Sequence, residues 1–205
     1  MPSFGPGPRR LAAAIGLALG ILPGCVQKDR EHRVIVSVAD QAMDVYEQGR
    51  RIGRYEVSTS KFCVGDAPGG CGTPLGRLEV AKKVGDGAPL GMVFKSRKPT
   101  GERLKPDAPG RDPIVTRILW LKGLEAQNRH AFSRYIYIHG TPEERNIGHP
   151  ASYGCIRMRS RDVARLFHTI GVGTEVDVVL GPLPEPSPAA AHVALNQSSP
   201  VVARP

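Results

Sequence analysis

Short runs of β-branched and apolar residues, each soon cut off by glycine, proline or a polar turn, hold this chain to a β-rich fold. Val34-Ile35-Val36-Ser37-Val38, Ala42 to Glu47, Arg51 to Val57, Arg77 to Lys83, Ile114 to Gly123 and Thr174 to Leu180 all read as strands. Gln48-Gly49-Arg50 joins two of them in a hairpin, with Gly49 free to take a positive φ. With 24 glycines and 19 prolines in 205 residues, long helices have little room. One amphipathic helix is expected, with Ser160 as its cap, Val163, Leu166, Phe167 and Ile170 at helical spacing, and Gly171 ending it. Thr141-Pro142-Glu143-Glu144 reads as the start of a further short helical turn. Residues 85–113 show no period and carry Lys95, Arg97, Lys98, Arg103 and Lys105, which reads as a binding lid or a plain surface loop. Trp120 reads as core.

The chemistry concentrates between Tyr135 and Met158. Tyr135-Ile136-Tyr137-Ile138-His139 alternates as a strand does, so His139 stands at a strand end with Gly140 behind it. Cys155 follows after a polar loop, between Gly154 and Ile156, where a small neighbour leaves the sulfur accessible. A thiol becomes an attacking thiolate when a base takes its proton. Cys155 is therefore the expected nucleophile and His139 its base, expected to lower the thiol pKa from ~8.5 to below neutrality. The backbone N–H groups of Tyr153, Gly154 and Cys155 are the expected oxyanion donors. Arg157, two residues beyond the sulfur, reads either as a grip on a substrate carboxylate or as half of a structural ion pair. Ser152 is expected to bond the loop backbone, and with Tyr137 and Arg157 it makes up the expected substrate contacts. Taken singly, a buried cysteine is usually inert packing and a histidine after a strand is usually just satisfied. Together they point to acyl transfer.

The remaining cysteines speak of compartment. Arg9-Arg10 precede an apolar run from Leu11 to Leu22 and then Pro23-Gly24-Cys25, a charged start and a short apolar middle that read as an export signal over 1–24. Cys25 is the expected lipidated residue. That leaves Cys63 and Cys71 around a Gly- and Pro-rich loop, an expected disulfide worth ~2–3 kcal/mol. Two free thiols or a metal pair are the competing readings, and no nearby histidine or cysteine completes a zinc set.

These residues resemble the catalytic domain of the L,D-transpeptidase family, the cysteine enzymes that remodel bacterial peptidoglycan. The match is carried by His139-Gly140, the loop, and Ser152-Tyr153-Gly154-Cys155-Ile156-Arg157-Met158, with Thr73-Pro74-Leu75-Gly76 as a second family element. It covers about residues 33–180. One position departs, since the family's histidine before Gly-Cys is Tyr153 here. The resemblance implies a β-sandwich or barrel-like sheet with one supporting helix, and a Gly140 carbonyl that orients His139. It also implies a thioester on Cys155 formed from peptidoglycan stem peptides, resolved by a second stem or by a lysine of a wall-attached lipoprotein, with no cofactor. Resolution by water, or a non-catalytic wall-binding lipoprotein, are the alternatives.

The net charge of +9 suits anionic partners such as wall-peptide carboxylates or membrane lipids, or is simply a solubilising surface. No basic stripe with interleaved aromatics points to nucleic acid. The expected organisation is a leader (1–24), a linker from a lipidated Cys25 (25–32), one catalytic domain (33–180) and a disordered Pro/Ala-rich tail (181–205). The expected protein is an exported, periplasmic, membrane-anchored monomer.

Overall fold

The computed structural model describes residues 27–185, so the leader, Cys25 and the tail beyond residue 185 lie outside the described residues. Ten strands and one α-helix follow one another: β1 (His32–Ser37), β2 (Ala42–Glu47), β3 (Arg50–Glu56), β4 (Gly76–Val84), β5 (Met92–Lys95), β6 (Lys98–Arg103), β7 (Ile114–Gly123), β8 (Tyr137–Gly140), β9 (Ile156–Met158), α1 (Ser160–Thr169) and β10 (Glu175–Val179). The fold is mainly β with a single supporting helix. Hydrogen bonding runs β3-β2-β1-β10-β4-β7-β5-β6, while β8 pairs with β7 and β9 with β8.

β7 is the spine. Seven consecutive residues from Val115 to Leu121 are buried, which fits a strand covered on both faces. Leu119 and Leu121 point into the main core with Val34, Leu78, Ile138 and Ile156. Ile118 and Trp120 point the other way, into a smaller cluster with Phe94 and Tyr137. α1 closes the main core through Val163, Leu166 and Phe167, packing on β7 and β8. Lys83 crosses from β4 to donate to the last carbonyls of that helix, Phe167 at 2.5 Å and Ile170 at 2.8 Å, where a cation also meets the negative end of the helix dipole.

Several expectations change in detail. α1 ends at Thr169 rather than Gly171, and Arg159, not Ser160, stands at its cap position. The Ser160 N–H instead donates to Glu144 Oε1 at 2.8 Å, and its hydroxyl accepts from Thr116. The turn after Thr141-Pro142 is only a 3-10 turn over Glu144–Asn146. The loop 85–113 contains the β5–β6 hairpin. Strand β8 begins at Tyr137 because Tyr135 sits at φ 58°, which breaks the extended run.

The ends of the described chain are docked. Asp29, in the expected linker, accepts at Oδ2 from the Gly171 N–H (2.6 Å) and the Thr174 hydroxyl (2.8 Å), and at Oδ1 from the His32 N–H. Burial alone raises its pKa, but the bonds from Gly171, Thr174 and His32 outweigh that and hold it at about 2. At the other end Leu183 is buried and its N–H donates to Asp40, so the first residues of the expected tail belong to the fold. A group whose folded pKa is lowered stabilises above its unfolded value and loses that contribution as pH falls through the folded one. Asp29→Ala should lower unfolding free energy at pH 7 by about 2 kcal/mol, and the gap to wild type should narrow as pH falls from about 4 toward 2, read by urea denaturation.

Candidate active site

Parity places the two reactive side chains. β8 and β9 run parallel with Ile138 opposite Ile156 and His139 opposite Arg157. Successive side chains of a strand alternate faces. Ile138, Ile156 and Met158 therefore fill the main core, while Tyr137 and His139 on one strand and Arg157 on the next share the opposite face. Cys155, one residue before β9 and two before Arg157, falls on that same face and packs against the cluster of Ile118, Trp120 and Tyr137.

His139 is buried and held in place. Its Nδ1 donates to the Gly140 carbonyl at 2.8 Å, which leaves the lone pair of the neutral ring on Nε2. The Tyr137 ring stands edge-on to it, centroids 6.5 Å apart. Gly140 has no room for a side chain: a Cβ there would lie 2.7 Å from the Val115 carbonyl oxygen.

The nucleophile loop is built on Ser152. Its N–H donates to Thr59 O at 2.9 Å, its hydroxyl donates to Cys155 O at 2.6 Å, and the same oxygen accepts the Gly154 N–H at 3.1 Å. Gly154 sits at φ 119°, where an L side chain is strained, and a Cβ would also meet Gly72 O at 3.0 Å. Of the three expected oxyanion donors, the Gly154 amide is thus occupied by Ser152. The Tyr153 and Cys155 amides find no acceptor among the described residues. The Cys155 Sγ–H donates to Tyr135 O at 3.4 Å.

Electrostatics overturn one expectation. Burial lowers the His139 pKa to about 4, helped by the nearby Arg157 charge and opposed by the bond to Gly140. Burial raises the Cys155 thiol to about 11, although the Tyr137 N–H and the charges of Arg157 and Arg134 favour the thiolate. Cys155 is only partly open to solvent, and the enclosing protein costs a thiolate more than those donors return. At neutral pH the resting pair is a neutral thiol and a neutral imidazole, not the preformed ion pair expected from their proximity.

Arg157 is engaged. Its Nη2 lies 2.6 Å from Asp112 Oδ2 and its Nη1 3.7 Å from Glu143 Oε2, with the side chains largely buried. Asp112 also accepts from the Thr141 hydroxyl at 2.5 Å. The ion-pair reading of Arg157 describes this arrangement, and no free guanidinium fork remains there for a substrate. Neither Asp112 nor Glu143 carried any sequence signal for this role.

Beside the sulfur opens a cleft of about 370 Å³ lined by Gly70, His130, Arg134, Ile136, Tyr153 and Cys155. Arg134, also unforeseen, is buried against Asp66 at 2.8 Å and donates to the carbonyls of Gly65, Gly70 and Gly72. It stitches down the loop on which a disulfide was expected. Cys63 and Cys71 are unbridged. Backbone pairing of Val64 with Thr73, with the Thr73 N–H donating to Cys63 O and the Gly65 N–H to Thr73 O, closes that loop instead. The Tyr153 ring is 59% exposed, 5.3 Å from Phe62 and under the Lys61 ammonium at 4.6 Å. It forms the cleft rim.

Comparison with known proteins places the chain in a family. The YkuD family model, an L,D-transpeptidase catalytic domain, matches residues 31–178. A Bacillus licheniformis protein called YkuD, assigned by name to the L,D-transpeptidases, is 26% identical over 161 residues, covering 77% of this chain and 72% of that protein. Bacillus subtilis YqjB, similarly assigned, is 54% identical over 39 residues, 19% of this chain and 22% of its own length. Among solved structures, an L,D-transpeptidase from Mycobacterium smegmatis matches with TM-score 0.47 and 18% identity, covering 73% of this chain and 58% of that one. The chain thus spans about a fifth of the Bacillus subtilis protein and under three fifths of the mycobacterial one. With the family match running through nearly all of the described sheet, this chain belongs to the YkuD family of L,D-transpeptidase catalytic domains.

Proposed function

We propose that this protein is an exported L,D-transpeptidase that acts on peptidoglycan stem peptides through a thioester on Cys155. The observation that carries the reading is that His139 and Cys155 share one face of the β8–β9 pair, with Nδ1 committed to Gly140 and Nε2 left as a base. The chemistry follows from a pair that rests uncharged. As the sulfur closes on the donor carbonyl, its proton passes to Nε2, and negative charge moves to the carbonyl oxygen. The unpaired amides of Tyr153 and Cys155 are the donors that would receive that charge, and donors of this kind are worth ~3–4 kcal/mol each in acyl transfer. The imidazolium then returns its proton to the leaving amine as the C–N bond breaks, giving the thioester. An amine from a neighbouring stem forms a 3–3 cross-link, or a lysine of a wall-attached lipoprotein is joined to the wall. In this reading residues 1–24 are the export leader, Cys25 carries a lipid that anchors the chain to a membrane, and 33–180 is the catalytic unit.

Incubation with defined tetrapeptide muropeptides should yield cross-linked dimer by mass spectrometry, and Cys155→Ala should yield none. Trimmed tripeptide without dimer would instead indicate hydrolysis. Wall binding without any Cys155 adduct would indicate a non-catalytic binder and defeat the proposal.

The base makes a pH prediction. Thioester formation should rise as pH passes upward through about 4 and then hold through neutrality, because His139 is already unprotonated. The same depression costs stability in acid. Between pH 6.5 and 4 the unfolded chain takes up a proton at His139 that the folded chain refuses, so stability falls as pH falls, by up to about 3 kcal/mol. His139→Gln should abolish thioester formation and flatten that part of the stability profile.

Tyr153→His, which restores the usual family residue, should change the rate by less than about threefold. Its ring lies at the solvent-facing rim and His139 already supplies a base. A gain of a hundredfold in a single-turnover assay would show that the natural residue cripples the site.

A further inference from the structure

Three arginines bear on the reactive face, and they differ in what neutralises them. Arg157 meets Asp112 and Glu143, and Arg134 meets Asp66. Arg97 meets no carboxylate among the described residues. It stands at the tip of the β5–β6 hairpin, where Ser96 (φ 50°) and Arg97 (φ 66°) both occupy left-handed backbone. That two-residue turn is ordinarily filled by Asn-Gly, and side chains such as these are strained there.

The strained turn lays the guanidinium on an aromatic floor. Arg97 lies 5.1 Å from the centroid of Trp120 and 4.9 Å from that of Tyr135. Trp120 is locked beneath it by stacking on Phe132, centroids 4.1 Å apart, and by donating its Nε1–H to Phe132 O at 3.0 Å. The Tyr137 hydroxyl falls within the electrostatic reach of Arg97 on one side and of Cys155 on the other. Aromatic faces attract and orient a planar cation without cancelling its charge, and the Tyr137 and Tyr135 hydroxyls take up part of its N–H donors. The outcome is an oriented guanidinium with no carboxylate partner among the described residues, lying over Trp120 of the same cluster against which Cys155 packs.

We propose that Arg97 is the receptor for a free carboxylate on the acyl donor, close to the carbonyl that Cys155 attacks, and so makes this site prefer carboxylate-bearing donor peptides over their carboxamides. The inference rests on the thioester reading for what the bound peptide is used for, but its recognition step can be measured without turnover. A paired carboxylate would receive two parallel N–H bonds from the guanidinium while the π floor holds the plane. Lys95 and Lys98 beside it are exposed and add positive charge around it.

The test uses Cys155→Ala protein, which cannot turn over, with a tetrapeptide stem and its carboxamide at the donor residue, measured by calorimetry. The parent should bind the carboxylate peptide about tenfold more tightly, and the preference should shrink with added salt. Adding Ser96→Asn and Arg97→Gly together keeps the turn geometry and removes the guanidinium. That variant should fold with an unchanged or higher thermal midpoint and bind both peptides alike, while Arg97→Lys should keep part of the preference. Equal affinities in the parent, or a tenfold preference surviving in the Asn-Gly turn variant, would overturn the assignment. Because the Cys155→Ala background carries no chemistry, loss of discrimination here is separate from any failure of intact protein to form the thioester.

Discussion

The parallel pairing of β8 with β9 is the constraint on which everything else turns. One register puts Ile138, Ile156 and Met158 into the main core and leaves His139, Arg157 and, just outside the strand, Cys155 on the other face. A slip of one residue on either strand would send the histidine into the core and isoleucine to the cleft. That slip is blocked from both sides. β7 buries Leu119 and Leu121 against one set and Ile118 and Trp120 against the other, so neither face of β8 tolerates the exchange. Gly140 locks the register further, because only a residue without Cβ lets β8 approach the Val115 carbonyl. His139 is thus fixed by the packing of its apolar neighbours.

Burial that fixes the geometry also sets the protonation states. A desolvated imidazole held at about 4 and a desolvated thiol at about 11 both prefer neutrality, so in the proposed chemistry charge separates only when a substrate is present to receive it. A neutral thiol also reacts slowly with oxidants and disulfides. In the proposed chemistry this neutral resting pair shifts the burden onto donors for the developing oxyanion, and Ser152 bears on that directly. By taking the Gly154 amide and the Cys155 carbonyl at once, its hydroxyl holds the peptide planes on either side rigid, leaving the Tyr153 and Cys155 amides unspent.

Much of this was readable from residue order, and what was not has a common cause. The opening hairpin, β4, β7, β10 and α1 announce themselves by alternation or helical spacing, and His139-Gly140 with Gly154-Cys155 announce the reactive pair. The β5–β6 hairpin did not, because β6 is exposed along its whole length and its turn is Ser-Arg rather than Asn-Gly. Nothing in a fully solvated edge strand enforces a two-residue period. The partners of Arg157 and Arg134 were equally invisible, since Asp112 and Asp66 lie 45 and 68 residues away and meet them only once the sheet has formed. Thiol acidity was misjudged for the same reason: sequence shows a neighbour, whereas the pKa depends on how much water the fold removes. The unbridged Cys63 and Cys71 teach the converse, that backbone pairing and one buried arginine can hold a loop for which cysteine counting invoked a covalent link.

The distribution of charge around the sulfur then has a physical logic. A guanidinium left bare beside His139 would drive its imidazole still further from protonation, against the proton transfer proposed for it, and Arg157 is the one whose charge His139 feels. Pairing it with Asp112 and Glu143 mutes that field while keeping the arginine as a strut between β9 and the segments that carry those acids. Arg134 is muted by Asp66 in the same way and spends its remaining donors on three loop carbonyls. Arg97 stands apart because π faces hold it without neutralising it. Two arginines serve the architecture and have lost the freedom to bind anything else. The third keeps its charge without a carboxylate partner among the described residues, at the cost of backbone strain in a turn that a simpler sequence would have relieved.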